Sequence, residues 1–319
     1  MDDEETRIED DGPEEEGQSL REGQHFEEYK VLRLLGRGGM GEVYEVAHRS
    51  LGTRHALKLI HPRIVDQAGS AERFVREARV MAQLRHPNIV HVDDFRQTGR
   101  RAWLRMELVK GETASLAGLM KRPGPMSADR VREILRQVLA GLAYAHGHGF
   151  VHRDLKPANF LLESFSHGDT GTTEELETNQ GNLRDPRASE REFRVKIADF
   201  GLVRLAGEDW LQTEVHTTVA ESLMEGSGGA SDEATVISGE ASPGTSSRAL
   251  LGTYAYMSPE QKRGEEADAR SDLYAVGLMA YQLLTGEESL GMKAPSRLNP
   301  ELDPAWDAWV EKAVESKRE

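Results

Sequence analysis

Residues 152–159 read HRDLKPAN, and Asp199 opens a DFG triplet further along the chain. Transfer of a phosphoryl group needs little covalent help from a protein; it needs an oriented hydroxyl, neutralised phosphate charge and in-line geometry. Asp154 is suited to accept the proton of an attacking hydroxyl, and Lys156 to neutralise the moving phosphate. Asn159 and Asp199 offer oxygen ligands to Mg²⁺, a hard cation. The two stretches together predict a site for phosphoryl transfer.

A glycine-rich stretch lies between two predicted strands near the N-terminus. Residues 36–41 read GRGGMG and separate Tyr29–Leu35 from Glu42–Ala47, both of which alternate like strands. The spacing G-x-G-x-x-G also marks dinucleotide-binding folds, but there the glycines open a helix. Because a strand follows here, we predict an antiparallel hairpin whose glycine turn forms a flap over phosphates.

The next predicted strand carries a lysine on the face that points under this flap. In His55–Ile60, alternation places Lys58 on the same face as Ala56. Residues 70–84 are predicted to form a helix with Glu77 on its apolar face, and a carboxylate there requires a cation. We therefore expect Lys58 to pair with Glu77 and to hold the α- and β-phosphates of a nucleotide.

The order of predicted elements indicates two lobes of unequal size. A small, mostly antiparallel β lobe with one key helix takes about residues 26–107, and a larger α-helical lobe takes about 112–319. The larger lobe contains an amphipathic helix that starts at Ser127 and an almost wholly apolar helix over Asp272–Thr285. The predicted fold class is α+β, with a cleft between the lobes.

Charge and polarity set several segments apart. Residues 1–25 hold eleven Asp and Glu against two Arg, which is more than half of the net charge of −15. We predict a disordered acidic tail, with an interaction or phosphorylation segment around Thr6 as the alternative. Residues 163–192 and 211–249 are polar and lack periodicity, so they are predicted to be long loop insertions.

Composition also excludes some classes of protein. The absence of cysteine excludes disulfides, thiol catalysis and zinc held by cysteine. An acidic balance argues against nucleic acid as the main partner, because phosphate contacts need clustered Lys and Arg. The longest apolar runs, such as Ala275–Ala280, are far shorter than the roughly 20 residues of a membrane span. With no secretory signal at the start, the predicted location is the cytoplasm.

In this order and spacing, the motifs resemble the eukaryotic-like (Hanks-type) serine/threonine protein kinase family, in its bacterial branch. The resemblance runs from about Tyr29 to the C-terminus, with Ser258–Glu260 where the family has A-P-E. Lys156 and Gly252-Thr253 match serine/threonine rather than tyrosine kinases. The resemblance implies the bilobal kinase fold and transfer of the ATP γ-phosphoryl group to Ser/Thr hydroxyls of proteins, including the chain's own activation segment. It also implies Mg²⁺, or Mn²⁺ in its place.

The resemblance assigns roles to matched positions. Catalytic roles fall to Lys58, Glu77, Asp154, Lys156 and Asn159, and metal ligation to Asn159 and Asp199. Nucleotide contacts, from the flap through the adenine pocket to the hinge, fall to Leu35, Gly36, Arg37, Gly38, Gly39, Met40, Gly41, Val43, Ala56, Lys58, Met106, Glu107, Val109 and Leu161. A hydrophobic stack of Met81, His152 and Phe200 would be anchored by Asp272.

Regulation is expected to act through the long segment that follows Asp199. Arg153 and Arg204 would together attract a phosphate, so we expect a phosphorylated threonine to dock there. The candidates are Thr213, Thr217, Thr218, Thr235 and Thr245. Thr253 is instead expected to bond Asp154 and Lys156. Members of the family often form homodimers through the small lobe, although no surface in the sequence indicates one.

The chain departs from the family near its end. It stops at Glu319, about two residues before the arginine that pairs with the family's counterpart of Glu260, which favours a fragment of a longer protein. The leading alternative to an active kinase is a pseudokinase or scaffold that binds nucleotide without turnover. An antibiotic-type small-molecule phosphotransferase would lack the Ser258–Glu260 element. A pure interaction module would leave Lys58 and Glu77 without a purpose.

Overall fold

The computed structural model describes residues 19–67, 81–109, 114–164, 193–200, 253–289, 291 and 293–315. Within these ranges the chain folds into a β-rich small lobe followed by a larger lobe made mainly of helices. This is the bilobal α+β arrangement that the sequence predicts. Most of the predicted helix 70–84, residues 1–18 of the predicted acidic tail, most of the insertion 163–192 and all of 211–249 lie outside the described residues. Residues 19–24 of the predicted tail are described and lead into a strand that begins at His25.

The small lobe is built on one antiparallel sheet of six strands in the order β1-β2-β3-β4-β6-β5. The elements are β1 His25–Phe26, β2 Tyr29–Gly38, β3 Gly41–His48, β4 Arg54–Ile60, helix α1 Pro62–Gln67, β5 Val92–Thr98 and β6 Arg101–Met106. The three strands predicted before residue 61 are therefore confirmed, with ends that differ by a few residues.

The two faces of this sheet are packed differently, and the difference follows from side-chain alternation. On β4, Leu57 is buried in an outer cluster with Tyr44 and Trp103. Ala56 belongs to a second cluster that faces the cleft between the lobes. Lys58, two residues after Ala56, points the same way and is buried, as the alternation predicts. A lysine is thus presented to the cleft from a rigid central strand.

The glycine-rich stretch forms the tip of the β2–β3 hairpin. Pairing continues further than predicted, through Gly36 opposite Val43 to Gly38 opposite Gly41, so only residues 39 and 40 form the turn. Gly41 adopts a φ of 153°, and a Cβ built there would lie 2.0 Å from the carbonyl oxygen of Leu59. Here glycine is required because the neighbouring strand approaches so closely.

The larger lobe is centred on two long helices. Its elements are β7 Ala114–Ser115, α2 Leu116–Met120, α3 Ala128–Gly147, a 3₁₀ turn Pro157–Asn159, β8 Phe160–Ser164, β9 Phe193–Ile197, α4 Pro259–Lys262, α5 Ala269–Thr285, α6 Pro295–Leu298 and α7 Ala305–Ala313. Helix α3 follows Ser127 as predicted. Helix α5 is buried along most of its length, as expected for a helix apolar on nearly every side.

Two boundaries differ from the sequence prediction. Helix α5 begins at Ala269, three residues before the predicted start, because Asp268 caps it and forms a capping box with Ser271. Strand β8 continues through Ser164, which pairs with Phe193, so the chain remains regular two residues into the predicted insertion 163–192. In both cases polar residues outside the apolar run are held by specific hydrogen bonds.

The back of the cleft is closed by hydrogen bonds between residues 88–91 and strand β9. The backbone N–H of Val90 donates to the carbonyl of Ile197 over 2.9 Å, and the N–H of Ile197 donates to the carbonyl of Asn88 over 2.9 Å. The Asn88 side chain donates to the carbonyl of Val195 over 2.8 Å. Among the residues described, no helix is long and apolar enough to cross a membrane.

Two of the flap glycines, Gly41 and Gly36, are predicted to respond unequally to alanine. At Gly41, the positive φ and the contact with the Leu59 carbonyl should lower the free energy of unfolding by about 1–3 kcal/mol or more. At Gly36 a Cβ meets nothing within 4 Å, so Gly36→Ala should stay within about 1 kcal/mol of the parent protein. Urea unfolding of the two variants measures the difference, and equal losses would contradict it.

Candidate active site

The loop before the 3₁₀ turn gathers polar side chains around Asp154. Lys156 Nζ lies 3.0 Å from Asp154 Oδ2 and donates to Thr253 Oγ1 over 2.8 Å. The side-chain amide of Asn159 donates to the backbone carbonyl of Asp154 over 2.7 Å. Because its Nδ2 is used in this way, the amide oxygen of Asn159 remains to act as an acceptor or ligand. Of the two contacts of Thr253 predicted from the sequence, with Asp154 and with Lys156, the contact with Lys156 is observed.

A buried carboxylate on α5 fixes the backbone of this loop. Asp272 accepts hydrogen bonds from the backbone N–H of His152 over 2.8 Å and of Arg153 over 2.9 Å. His146 Nε2 lies 2.8 Å from the same side chain. Arg153 has a φ of 69°, a left-handed conformation that costs energy for a residue with a Cβ. The Asp272 contacts hold this strained turn and so aim Asp154 into the cleft.

Lys58 and Asp199 meet across the cleft. Lys58 Nζ lies 2.9 Å from Asp199 Oδ2, and Asp199 has a φ of 64°. Burial alone raises the pKa of the Asp199 carboxyl, but the charges of Lys58 and Lys156 outweigh it and hold the pKa below its ordinary value. The carboxylate is therefore ionised at neutral pH, in the state that binds a cation.

The ring of Phe200 packs against His152, in the loop that carries Asp154. Its centroid lies 4.7 Å from that of His152, whose Nε2 is 2.9 Å from the carbonyl oxygen of Ala198. Met81 is buried in the cleft-facing cluster of the small lobe, whereas Phe200 is buried in the core of the larger lobe. Of the predicted stack, the His152–Phe200 contact and the anchor at Asp272 are observed.

These groups line one cleft between the lobes. The cleft has a volume of about 2050 Å³, above the roughly 300–1,000 Å³ of ordinary small-molecule pockets. Every nucleotide-contact residue predicted from the sequence lines it: Leu35, Gly36, Arg37, Gly38, Gly39, Met40, Gly41, Val43, Ala56, Lys58, Met106, Glu107, Val109 and Leu161. Asp154, Lys156, Asn159 and Asp199 line the same space. The structure thus joins an apolar slot to a polar, charged end.

Comparison with known proteins assigns this arrangement to a family. The protein kinase domain family matches residues 29–220, more than half of the chain. The chain belongs to the protein kinase family. Its relatives place it in the bacterial serine/threonine branch.

The kinase domain is similar to several named bacterial proteins. Serine/threonine-protein kinase pkn2 of Myxococcus xanthus is 36% identical over 258 residues, which cover 81% of this chain and 24% of pkn2. Serine/threonine-protein kinase PknJ of Mycobacterium tuberculosis is 33% identical over 268 residues, or 84% of this chain and 36% of PknJ. This chain therefore spans about a quarter to a third of the length of these relatives.

Solved structures support the same fold. The crystal structure of the Mycobacterium tuberculosis PknI kinase domain has a TM-score of 0.59 to this chain at 26% sequence identity. The alignment covers 94% of this chain and 92% of that one. The bilobal kinase fold is therefore shared with an experimentally determined kinase domain.

One site interaction of this kinase domain was missed by sequence reasoning. Lys196 of β9 lies three residues before Asp199, and its Nζ donates to Glu107 Oε1 over 2.6 Å. The same oxygen accepts the backbone N–H of His91 over 3.1 Å. Glu107 follows β6 and begins the segment that the resemblance assigns to adenine binding. Periodicity places Lys196 in a strand, but nothing in the sequence reveals that its partner is 89 residues away.

Some predicted site residues lie outside the described residues. Glu77, the expected partner of Lys58, falls within 68–80, and Arg204 and the five candidate threonines fall within 201–252. The Lys58–Glu77 pair and the phosphothreonine dock remain predictions. The residues that the structure does describe place Lys58 beside Asp199.

The side chains predicted to bind a metal ion are those of Asn159 and Asp199. Within the described ranges, no group of three or more His, Cys, Asp or Glu is placed to hold a metal ion. Mg²⁺, however, commonly takes only one or two protein carboxylates together with substrate phosphates. The ionised Asp199 and the amide oxygen of Asn159, both on the polar side of the cleft, fit that requirement.

The Lys196–Glu107 ion pair is predicted to couple the two residues energetically. Lys196 is largely buried, so a double-mutant cycle of Lys196→Met and Glu107→Gln should give a coupling energy of about 1–3 kcal/mol. Urea unfolding of the parent, both single variants and the double variant provides the measurement.

The exposed pair Arg263–Glu265, at 2.6 Å, is the matched control. The corresponding cycle of Arg263→Gln and Glu265→Gln should give no measurable coupling energy, because solvent screens exposed ion pairs. Equal coupling energies in the two cycles would show that burial of Lys196 does not strengthen its interaction with Glu107.

Proposed function

We propose that this chain is the catalytic domain of a serine/threonine protein kinase, which transfers the γ-phosphoryl group of ATP to Ser/Thr hydroxyls of proteins. The observation that carries the proposal is that two charged networks meet in one cleft. Lys58 and Asp199 form one network from opposite lobes, and Asp154, Lys156 and Thr253 form the other. The four charged groups are those of Lys58, Asp199, Asp154 and Lys156, and the backbone beside them is strained at Arg153 and Asp199. A scaffold that catalyses no reaction does not need such an arrangement.

The nucleotide is proposed to lie with its adenine in the apolar slot and its phosphates under the flap. Val43 and Ala56 from the small lobe and Leu161 from the larger lobe enclose the slot, with Met106 at its back and the backbone of Glu107 and Val109 at its edge. The flap glycines have no side chains to block the approach of phosphate oxygens to the backbone. Lys58 then offers its ammonium to the α- and β-phosphates.

The metal ion is proposed to arrive with the nucleotide, as Mg²⁺ or as Mn²⁺. Asn159 and Asp199 would hold it, and its charge would neutralise the phosphate oxygens during transfer. Asp199 lies within 2.9 Å of Lys58, so this arrangement brings two positive charges close to one carboxylate.

The acceptor hydroxyl is proposed to approach from the side of Asp154. Asp154 accepts the hydroxyl proton, the oxygen attacks the γ-phosphorus, and ADP leaves with the electron pair of the broken bond. Lys156 is held by Asp154 and Thr253, which places its charge next to the group in transit. The volume of the cleft exceeds what a small molecule needs, which suits a protein substrate.

Regulation, assembly and location extend this proposal. Pairing of Lys58 with Glu77 and autophosphorylation of one of the candidate threonines would order the active state. A homodimer through the small lobe is the assembly that the family resemblance suggests. Use of ATP places the domain in the cytoplasm, where ATP is supplied.

A pseudokinase that binds nucleotide without turnover is the second candidate function. Such a protein retains the adenine slot but does not require an oriented base. The contacts of Asp272 with the backbone of His152 and Arg153 orient Asp154, and this favours catalysis over binding alone.

The proposal is tested by replacing the base and measuring transfer and binding separately. Asp154→Asn should reduce label transfer from γ-labelled ATP and Mg²⁺ to casein, or to the protein itself, by about 10²- to 10⁴-fold. Binding of a fluorescent ATP analogue should be retained, because Asp154 touches the acceptor rather than the adenine.

Asp129→Asn is the matched control, since Asp129 is an exposed carboxylate on α3 and is 91% exposed. Its transfer rate should equal that of the parent protein. A parent that binds the analogue but transfers no label would favour the pseudokinase, and equal transfer by the parent and Asp154→Asn would refute the assigned base.

A further inference from the structure

A buried carboxylate lies immediately after the flap, on the side of the sheet away from the nucleotide slot. Glu42 is 7% exposed. It accepts hydrogen bonds from Ser19 Oγ over 2.9 Å, from Arg37 Nε over 2.9 Å and from the hydroxyl of Tyr44. Its neighbour in the sequence, Gly41, is the flap glycine that contacts β4 most closely. None of the roles assigned above uses this carboxylate.

The segment that precedes β1 is bound to the small lobe at the same place. Leu20 is buried in the outer cluster, and its backbone N–H donates to the Tyr44 hydroxyl over 2.9 Å. The N–H of Gly23 donates to the carbonyl of Val31, and the N–H of Val31 donates to the carbonyl of Gln24, each over 2.9 Å. Residues 19–24, here called the docking segment, are therefore an ordered part of the small lobe.

Arg37 connects this cluster to the nucleotide side. It lies opposite Glu42 in the β2–β3 pairing, and it lines the cleft between the lobes. Gly36 and Gly38, on either side of it, have no side chains with which to hold the flap in place. The Arg37–Glu42 ion pair is thus a side-chain contact that restricts the conformation of the flap.

The electrostatics of the cluster make the three donors interdependent. Burial raises the pKa of Glu42, but the hydrogen bonds from Tyr44, Ser19 and Arg37 outweigh it, so the pKa lies below its ordinary value. Burial and the neighbouring Glu42 raise the pKa of Tyr44 to about 12. At neutral pH a charged carboxylate therefore faces a protonated hydroxyl. If one donor is lost, the buried Glu42 carboxylate accepts fewer hydrogen bonds, and its hydrogen bonds to the remaining donors change.

We propose that Glu42 is a positioning residue for the nucleotide flap, and that the docking segment controls the flap through it. With Ser19 and Leu20 docked, Glu42 and Tyr44 are held in place, and Glu42 holds Arg37 and the flap over the phosphates. With the segment displaced, the flap becomes more mobile and ATP binds less tightly. The inference rests on the proposed function, because it concerns the ATP site of that reaction.

The same geometry predicts the effect of negative charge at position 19. Ser19 is exposed, and its hydroxyl lies 2.9 Å from Glu42 Oε1. A carboxylate or phosphate there would replace a hydrogen-bond donor with a like charge at close range. It should therefore displace the docking segment more strongly than simple removal of the hydroxyl.

The experiment compares conservative variants in the full chain. Ser19→Ala and Tyr44→Phe each remove one hydroxyl of the cluster, and Ser19→Asp adds a like charge. Three quantities are measured: hydrogen exchange of the backbone over residues 33–43, affinity for a fluorescent ATP analogue, and KM and kcat with ATP and casein. The first two need no turnover, so they report on the flap even if the proposed reaction does not occur.

Two matched controls separate positioning from general stability. Tyr29→Phe removes another buried hydroxyl of the outer cluster, one that accepts a hydrogen bond from Arg105 over 2.9 Å, far from the flap. Ser50→Ala removes an exposed serine hydroxyl in the β3–β4 turn. Both controls should leave flap exchange and ATP affinity at parental values, although Tyr29→Phe should lower the melting temperature.

The expected result is faster exchange in the flap and an ATP affinity lower by about 3- to 10-fold for Ser19→Ala and Tyr44→Phe, the size of one hydrogen bond. KM for ATP should rise by the same factor with little change in kcat, and Ser19→Asp should exceed Ser19→Ala. The inference fails if Tyr44→Phe lowers only the melting temperature, as Tyr29→Phe does, and Ser19→Ala changes none of the three quantities. In that case the cluster stabilises the small lobe but does not position the flap. Absence of turnover with altered flap exchange would overturn the proposed function alone.

Discussion

The whole site depends on the burial of one carboxylate in the middle of the larger lobe. Asp272 is 1% exposed, and an isolated buried carboxylate is unfavourable by several kcal/mol. Its cost is offset by backbone N–H groups of His152 and Arg153 and by the ring of His146. Because the two backbone donors belong to the loop that carries Asp154, displacement of this loop would leave the buried carboxylate with fewer hydrogen bonds. The same hydrogen bonds of Asp272 therefore stabilise the larger lobe and orient Asp154.

The other half of the site depends on a contact across the cleft. Lys58 is presented by a central strand, whereas Asp199 lies in a left-handed conformation at the end of β9. The two are held within 2.9 Å by opposite charge. Lys58 is buried and Asp199 is partly buried, so each offsets a charge that would otherwise be unpaired in the cleft. The larger lobe thus contributes Asp199 and the loop anchored by Asp272, and the small lobe contributes the ammonium group of Lys58, which pairs with Asp199.

The sequence predicts the parts of this domain that depend on short-range patterns. Alternation along β4 was sufficient to place Lys58 on the cleft face with Ala56, and spacing within residues 152–159 was sufficient to bring Asp154, Lys156 and Asn159 together. These patterns work because a strand or a tight loop translates sequence distance directly into spatial distance. All fourteen predicted nucleotide contacts line one cleft, but it was the family resemblance, and not local spacing, that brought their separate segments together.

Contacts between distant segments were beyond such reasoning. The Lys196–Glu107 pair joins residues 89 apart, and the Ser19–Glu42 contact joins a segment predicted as part of a tail to a buried strand residue. Neither partner carries a local signal, because a lysine in a strand or a glutamate after a glycine is usually exposed. The early start of α5 was missed because Asp268 and Ser271 act through capping bonds, which do not contribute to apolar periodicity.

The hydrogen bonds behind the cleft constrain how the two lobes can move. Residues 88–91 are bonded to β9 through Val90, Ile197 and the side chain of Asn88, and Lys196 ties the same strand to Glu107. An opening that preserves these bonds would rotate about this bonded edge as a pivot. Displacement then grows with distance from the axis, so a small rotation that hardly changes the adenine slot shifts the tip of the glycine hairpin by the longest arc. Such a rotation would widen or narrow the cleft at its mouth, while its rear wall stays closed.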